Sequence, residues 1–214
     1  MTLVAKTIEE ILAALEGHFD SVIVSAPAAA KQIALARESF PTLPQELEEF
    51  WSRCNGIRVR LEDDFVGNIF GIESAIEQFE VWLKDWKAEG PDIELIPLRT
   101  DACGNFDCLV AQHETIAGAV VFWDHAELRE VRCFLGGSLD AYLSFWCRHL
   151  TNCYSPDGRM YSLFKPRKLD HFPWLAPGPK TDPWPFDLTW LCGNDARVDE
   201  LLSHPDIEKW IADW

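Results

Sequence analysis

The stretch at residues 95–125 constrains the fold of this chain more than any other, because short apolar runs alternate there with turn residues. The apolar runs cover residues 93–98, 106–111 and 119–123. Gly104 and Asn105 supply turn chemistry between the first two runs, and Gly118 does so between the last two. Strands joined by such turns predict an antiparallel meander. Pro97 favours an edge or a strand-end position, because proline has no N–H to donate to a neighbouring strand.

Helical periodicity dominates the sequence before the meander. Thr7 and Glu10 have the spacing of a capping box, which predicts a helix start, and Asn55-Gly56 provides a helix stop. We predict helices over residues 8–17, 27–39 and 44–54, strands at 57–61 and 66–72, and a further helix that ends before residues 90–91. After the meander we predict a strand at 130–135 and a helix that Ser138 caps and that runs to about residue 153.

The composition changes after residue 153, where prolines alternate with tryptophan, phenylalanine and tyrosine. Proline stops regular structure, whereas aromatic residues seek burial, and a disordered tail would be poor in them. We therefore expect residues 1–153 to form one α+β domain. Residues 154–214 are expected to be a Pro/Trp-rich extension that packs on it and ends in a helix capped by Asp195.

The charge and cysteine content bound the class of protein. The chain has 214 residues with 35 acidic and 19 Lys or Arg side chains, which gives a formal net charge of −16. Such a charge disfavours nucleic acid and anionic membranes as partners and favours a basic protein. No apolar run approaches the roughly 18 residues of a membrane span, and no signal peptide is recognised. Seven cysteines without a regular framework indicate reduced thiols and a cytoplasmic location.

Four fragments, in this order, carry a resemblance to a known family. They are LPQELEEFWSRCNG (43–56), GNIFGI (67–72), LIPLRTDACGNFDCLV (95–110) and AGAVVFWDHAE (117–127). Together they make residues 33–150 similar to a domain of the SUKH superfamily, which contains yeast cell-wall-synthesis regulators and many bacterial immunity proteins.

The resemblance implies an α+β fold with a mostly antiparallel sheet flanked by helices, no catalytic activity and no cofactor. Bacterial members of the superfamily typically bind and neutralise a toxin, often a nuclease, made by the same cell or delivered by its neighbours. The extension after residue 153 is not part of the family's core pattern. It is either a partner-binding arm or a lid over exposed sheet.

Polar residues near the turns of the meander invite a catalytic interpretation. Asp124, His125 and Asp101 are the residue types of an acid/base set. However, nothing in the sequence pairs them with a nucleophile or a phosphate-binding loop. We interpret them as residues that cap turns and predict no catalytic residue.

Two groups of cysteine and histidine residues invite a zinc interpretation. The first comprises Cys103, Cys108, His113, His125 and Cys133, and the second comprises Cys147, His149 and Cys153. Neither group contains the C-x₂-C pairs of a structural zinc site. A free cysteine in a strand or helix behaves as a small apolar residue, so we predict packing and no metal.

A run of acidic residues supplies the candidate partner-binding site, with two tryptophans of the extension added as interaction anchors. The candidates are Glu62, Asp63, Asp64, Glu73, Glu77, Glu80, Trp174 and Trp184. Asp85 and Glu89 continue the acidic side of the same helix. This set is either a solvated face or a decoy for the cationic cleft of a nuclease, and the sequence leaves both interpretations open.

The function that we predict is that of an immunity protein. It would bind a cognate toxin, basic and encoded nearby, and neutralise it by steric and electrostatic occlusion as a monomer or weak dimer. The alternative is a regulatory scaffold that binds several cellular partners.

Overall fold

The described part of the chain contains two main antiparallel sheets, six α-helices, one π-helical turn and a short parallel pair of strands. The structure is a computed structural model that describes residues 7–61, 64–84, 93–101, 104–124, 130–161, 175–176 and 195–203. This architecture confirms the α+β class predicted from the sequence.

The structure describes six α-helices, and the first and the fifth among them begin at side-chain caps. They are α1 (Ile8–His18), α2 (Ala30–Ser39), α3 (Gln45–Arg53), α4 (Ile72–Gln78), α5 (Leu139–Cys153) and α6 (Ala196–Leu202), and a π-helical turn (Phe79–Leu83) follows α4 directly. At the start of α1, the Thr7 hydroxyl accepts a hydrogen bond from the N–H of Glu10, and the Glu10 carboxylate accepts one from the N–H of Thr7. Ser138 accepts from the N–H of Ala141 at the start of α5. Both predicted caps are therefore confirmed.

The strands divide between two main sheets. The first sheet has the order β1 (Val22–Val24), β2 (Ile57–Leu61) and β3 (Asp64–Ile69), and the second has β4 (Glu94–Thr100), β5 (Phe106–Gln112), β6 (Val120–Asp124) and β7 (Glu130–Gly136) in sequence order. The second sheet confirms the predicted meander and its continuation. Strand β4 lies at an edge of this sheet, which is one of the two positions predicted from Pro97, and its pairing with β5 shifts register just after that proline.

One hydrophobic core joins the two sheets and the helices. The N–H of Phe70, which follows β3, donates to the carbonyl of Leu98 in β4 at 2.7 Å, so the two sheets meet there. The buried indole of Trp51 in α3 donates to the carbonyl of Phe70 at 3.1 Å. Gly67 of β3 lies so close to α5 that a Cβ there would be 2.7 Å from a methyl carbon of Leu150. These contacts fix the first sheet between α3 and α5.

The structure differs from the sequence prediction at the end of one strand, at the start of one helix and in one additional strand. The predicted strand at 66–72 ends at Ile69, and Ile72 instead begins α4 because the side-chain carbonyl of Asn55 accepts the N–H of Ile72 at 2.8 Å. The helix predicted from residue 27 begins at Ala30. Strand β1 was not predicted, since three residues are too few to show alternation and its pairing with β2 creates the strand.

The described residues after position 153 contact the rest of the structure at several points. Strands β8 (Met160–Tyr161) and β9 (Leu175–Ala176) form a short parallel pair. Asp195 caps α6, as predicted, and its carboxylate also accepts from the N–H of Gly137 at 2.7 Å. Arg197 donates to the carbonyls of Gly137 and Ala117. These contacts hold α6 beside β7, whereas the division into a domain and an extension at residue 153 stays a prediction.

Candidate partner-binding surface

Helix α4 presents one acidic side to solvent. Glu73, Glu77 and Glu80 are all exposed. They are spaced by four and three residues, so they follow one another along the same side of the helix. Ile72, Ala75 and Leu83 are buried on the opposite side. The helix and the turn after it therefore hold three carboxylates in a row above the core.

Two large apolar side chains lie exposed next to these carboxylates, in the π-helical turn. Val81 is 63% exposed and Trp82 is 44% exposed. Single π-helical turns occur mostly within α-helices and often at functional sites. Our sequence reasoning missed both residues because it followed only the apolar face. A signal was present, since Val81 follows Glu77 by four residues and such spacing places it on the acidic side.

The carboxylate of Glu73 is held by two side-chain amides. Gln32 Nε2 of α2 donates to one oxygen at 2.5 Å, and Asn55 Nδ2 donates to the other at 3.4 Å. The hydrogen bond from Gln32 lowers the pKa of Glu73, so this carboxylate is ionised at neutral pH. Glu80 pairs with Lys84 at 2.5 Å, four residues further on. Glu73, the first carboxylate of the row, is thus an anion that hydrogen bonds hold in one orientation.

A surface cleft of about 450 Å³ opens beside Glu73. It lies between the first sheet and the beginning of α4. It is lined by Ser25, Asn55, Gly56, Arg58, Asn68, Ile69, Phe70, Gly71, Glu73 and Ser74. Charged groups, amides and hydroxyls therefore surround an open space next to the acidic row.

Two glycines allow the walls of this cleft to come together. A Cβ at Gly71 would lie 2.3 Å from the backbone oxygen of Asn55, and a Cβ at Gly56 would lie 2.8 Å from the backbone nitrogen of Gly71. Gly56 also has a φ of +108°, which glycine adopts without strain. The approach of these two backbone segments builds the cleft.

A cluster of three polar side chains, separate from the cleft, is buried and joins β4, β5 and α5. Arg99 NH1 donates to an Asp107 carboxylate oxygen at 2.9 Å, and the Tyr142 hydroxyl donates to the same oxygen at 2.5 Å. Burial raises the pKa of Tyr142, and the charge of Asp107 raises it further. Burial alone would lower the pKa of Arg99, but the Asp107 carboxylate reverses this and the net pKa is raised. Because the cluster is enclosed, Arg99 and Asp107 form a structural ion pair. Sequence reasoning missed the cluster, in which Tyr142 lies 35 residues from Asp107.

Of the three residues considered for acid/base chemistry, Asp101 lies in the turn between β4 and β5. The Asp101 carboxylate accepts hydrogen bonds from the backbone N–H and the side-chain amide of Asn105, both at 2.9 Å. Asp124 ends β6, and His125 lies outside the described residues. The contacts of Asp101 are those of a turn-capping carboxylate, as we interpreted it.

The cysteine and histidine residues do not gather into a metal cluster within the described ranges. Cys108 is buried in β5, and His113 Nδ1 accepts from the N–H of Thr115 at 3.1 Å. In α5, Cys153 Sγ lies 3.2 Å from His149 Nδ1. Burial and the charge of Arg99 lower the pKa of His149 to about 4. Cys103 lies outside the described residues, Cys133 is in β7, and Cys147 is buried in α5.

The structure brings together only part of the candidate partner-binding set. Glu73, Glu77 and Glu80 share one surface, whereas Asp64 begins β3. Glu62, Asp63, Trp174 and Trp184 lie outside the described residues, as do Asp85 and Glu89. A role in binding stays a prediction for all of them.

The sequence of the chain matches the model of a known protein family. The model of the SMI1 / KNR4 family (SUKH-1) matches residues 27–144, which include both main sheets apart from β1, and the whole of α4. The chain belongs to this family. The predicted resemblance to the SUKH superfamily is therefore confirmed. Members of this family are typically non-enzymatic immunity or regulatory proteins. No curated protein matches the sequence.

The family match also locates the candidate surface within the SUKH-1 domain. Helix α4 and the π-helical turn lie inside the matched residues, whereas α6 lies beyond them. Among the helices that the structure describes, none has the length and apolar character needed to cross a membrane.

Proposed function

We propose that this SUKH-1 protein is an immunity protein that binds and neutralises a cognate toxin domain. Membership of a family that broadly fits immunity proteins supports the proposal. The formal net charge of −16 supports a basic partner, because opposite charge steers association. The proposal assigns no catalytic residue and no cofactor to the chain.

The observation that carries the proposal is the exposed side of α4 and the π-helical turn. It combines the carboxylates of Glu73, Glu77 and Glu80 with the apolar side chains of Val81 and Trp82. Binding energy at protein interfaces concentrates in a few residues, among which tryptophan is enriched. Carboxylates form their strongest hydrogen bonds with arginine and lysine. This surface therefore offers both an anchor and a counter-charge to a cationic partner.

The mechanism follows from these two components. A nuclease binds the phosphate backbone through a cluster of Lys and Arg side chains. The acidic row would occupy that cluster, while Trp82 packs against a neighbouring apolar site and excludes water. The toxin would be inhibited because its substrate can no longer enter, with no change to the chemistry of the toxin itself.

The first test is co-expression of the chain with the toxin domain encoded beside it. We expect a stable complex and rescue of growth. Trp82→Ala should weaken the complex by about 30-fold, since loss of a central anchor costs roughly 2 kcal/mol. Reversing the charges of Glu77 and Glu80 should slow association and reduce its dependence on salt.

The matched control is Glu16→Lys, which changes one exposed carboxylate of α1, a different helix. It should leave the affinity and the salt dependence nearly unchanged. If the neighbouring toxin neither binds nor harms the cell, the immunity function is wrong. A pull-down that then returns several unrelated cellular proteins would favour the regulatory scaffold.

A further inference from the structure

The cleft beside Glu73 has the features of a receptor for one kind of side chain. Its volume of about 450 Å³ is within the range of about 300–1,000 Å³ that is usual for ligand sites. Its lining combines a fixed carboxylate and the Arg58 side chain with amides and hydroxyls, and it adjoins the acidic row of α4. A partner seated on α4 would therefore have this cleft within reach.

The floor of the cleft comes from the solvent-facing side of the first sheet. The strand register places Ile23, Arg58 and Asn68 opposite one another across β1, β2 and β3. Val59 follows Arg58 in β2, and Gly67 precedes Asn68 in β3. Both residues face the core instead. Regular alternation along paired strands thus directs Arg58 and Asn68 into the cleft.

The anion of the cleft is held in place before any ligand arrives. Gln32 and Asn55 each donate to one oxygen of Glu73, and Asn55 is itself fixed because its carbonyl accepts the N–H of Ile72. A carboxylate that is already oriented loses little freedom when it binds a cation, and such preorganisation increases affinity. Each carboxylate oxygen has two lone pairs, so acceptor capacity remains for a ligand.

We infer that the cleft receives an arginine side chain of the bound partner, with its guanidinium against the Glu73 carboxylate. Arginine fits better than lysine because its five N–H donors lie in one plane and match a carboxylate together with neighbouring oxygen acceptors. Asn68, Ser25 and Ser74 bring amide and hydroxyl oxygens to the same space. Arg58 also lines the cleft. This inference rests on the proposed function, because it names the group that the toxin inserts.

The site can be tested without the toxin, with N-acetyl-arginine amide as the probe. Addition of the probe to the isotope-labelled full chain should shift the amide signals of Gly56, Asn68, Gly71 and Ser74 in a saturable way. N-acetyl-citrulline amide, which has nearly the same shape and no charge, should bind at least about 10-fold more weakly, since a charged hydrogen bond contributes about 1.5–3 kcal/mol.

Two variants separate the cleft from the acidic row. Glu73→Gln and Glu77→Gln each remove one carboxylate from the same side of α4, but only Glu73 lines the cleft. Binding of the probe should fall about 10-fold in Glu73→Gln and remain unchanged in Glu77→Gln. Asn68→Tyr, which fills the cleft and leaves Glu73 intact, should also abolish binding. Equal binding by both Gln variants, or shifts spread along α4, would overturn the inference.

The same variants distinguish this inference from the proposed function. If the toxin binds Glu73→Gln and Asn68→Tyr as tightly as the unmodified chain, while Trp82→Ala weakens the complex, the immunity function stands and the arginine site is wrong. If the probe binds in the cleft but the neighbouring toxin does not bind, the arginine site stands and the immunity function is wrong.

Discussion

The buried ion pair of Arg99 and Asp107 makes a stringent test of how this domain is held together. The side chain of Asp107 is 6% exposed and that of Arg99 is 15% exposed, and their hydrogen bond is 2.9 Å long. Asp107→Asn keeps the shape of the side chain but leaves the guanidinium buried without a counter-charge. Removing one partner of a buried pair costs about 3–5 kcal/mol. We expect about 3 kcal/mol, because an amide oxygen can still accept from Arg99 and Tyr142.

The exposed pair of Arg37 and Glu48 is the matched control. Arg37 donates to both Glu48 oxygens, at 2.8 and 2.6 Å, but the two side chains are 63% and 27% exposed. Glu48→Gln should therefore lower the free energy of unfolding much less than Asp107→Asn does, because exposed ion pairs contribute little to stability.

Urea unfolding, followed by circular dichroism and tryptophan fluorescence, measures both free energies of unfolding. Equal slopes in urea would show that the two variants differ in stability and not in the extent of unfolding. If Asp107→Asn costs no more than Glu48→Gln, burial does not govern the contribution of these ion pairs and the reasoning is refuted.

Three further predictions follow from single residues. Burial and the charge of Arg99 lower the pKa of His149 to about 4 in the folded chain, whereas a histidine in the unfolded chain has a pKa of about 6.5. Between these two pH values the unfolded chain therefore binds more protons than the folded chain. The free energy of unfolding should thus fall by up to about 3 kcal/mol as pH falls from about 6.5 to about 4. In His149→Asn, urea unfolding at both pH values should lack this part of the decrease. A pH dependence equal to that of the unmodified chain would contradict the prediction. Gly71→Ala places a Cβ 2.3 Å from a backbone oxygen and should cost about 1–3 kcal/mol in urea unfolding. Gly17→Ala, near the end of α1 with nothing within 4 Å, should instead stabilise by up to about 1 kcal/mol, and equal effects of both changes would refute the steric argument. Arg197→Ala removes charged hydrogen bonds to two backbone carbonyls, so amide exchange in α6 should accelerate about 10-fold or more, with α3 as the internal reference that should not change.

Local signals were sufficient to predict most of the secondary structure. The capping box at Thr7, the cap at Ser138 and the turn residues of the meander each act over only a few residues, and each of these elements appears where the sequence predicts it. The family resemblance, based on fragments in a fixed order, was also sufficient to predict the SUKH fold. Strand β1 could not be predicted because its hydrogen bonds depend on β2, which lies more than thirty residues further along the chain.

The candidate surface, too, could be predicted only in part from the sequence. The spacing of Glu73, Glu77 and Glu80 is enough to predict that they share one side of a helix, and the net charge indicates a basic partner. Sequence reasoning did not distinguish Glu73 from the other two, because its partner Gln32 lies 41 residues away. It also followed only the apolar face and overlooked Trp82 in the π-helical turn.

Periodicity, caps and composition are properties of short segments or of totals, so they were enough to predict most helices, the meander and the sign of the charge, while ordered fragments were enough to predict the family. Which side chains meet depended on the folded chain. The tertiary structure paired Asp107 with Tyr142, 35 residues apart, and brought Asn55 to the start of α4, 17 residues away. It also built the cleft where Gly56 and Gly71 approach each other. Such contacts depend on how the chain returns on itself, and this is set by the packing of the whole core.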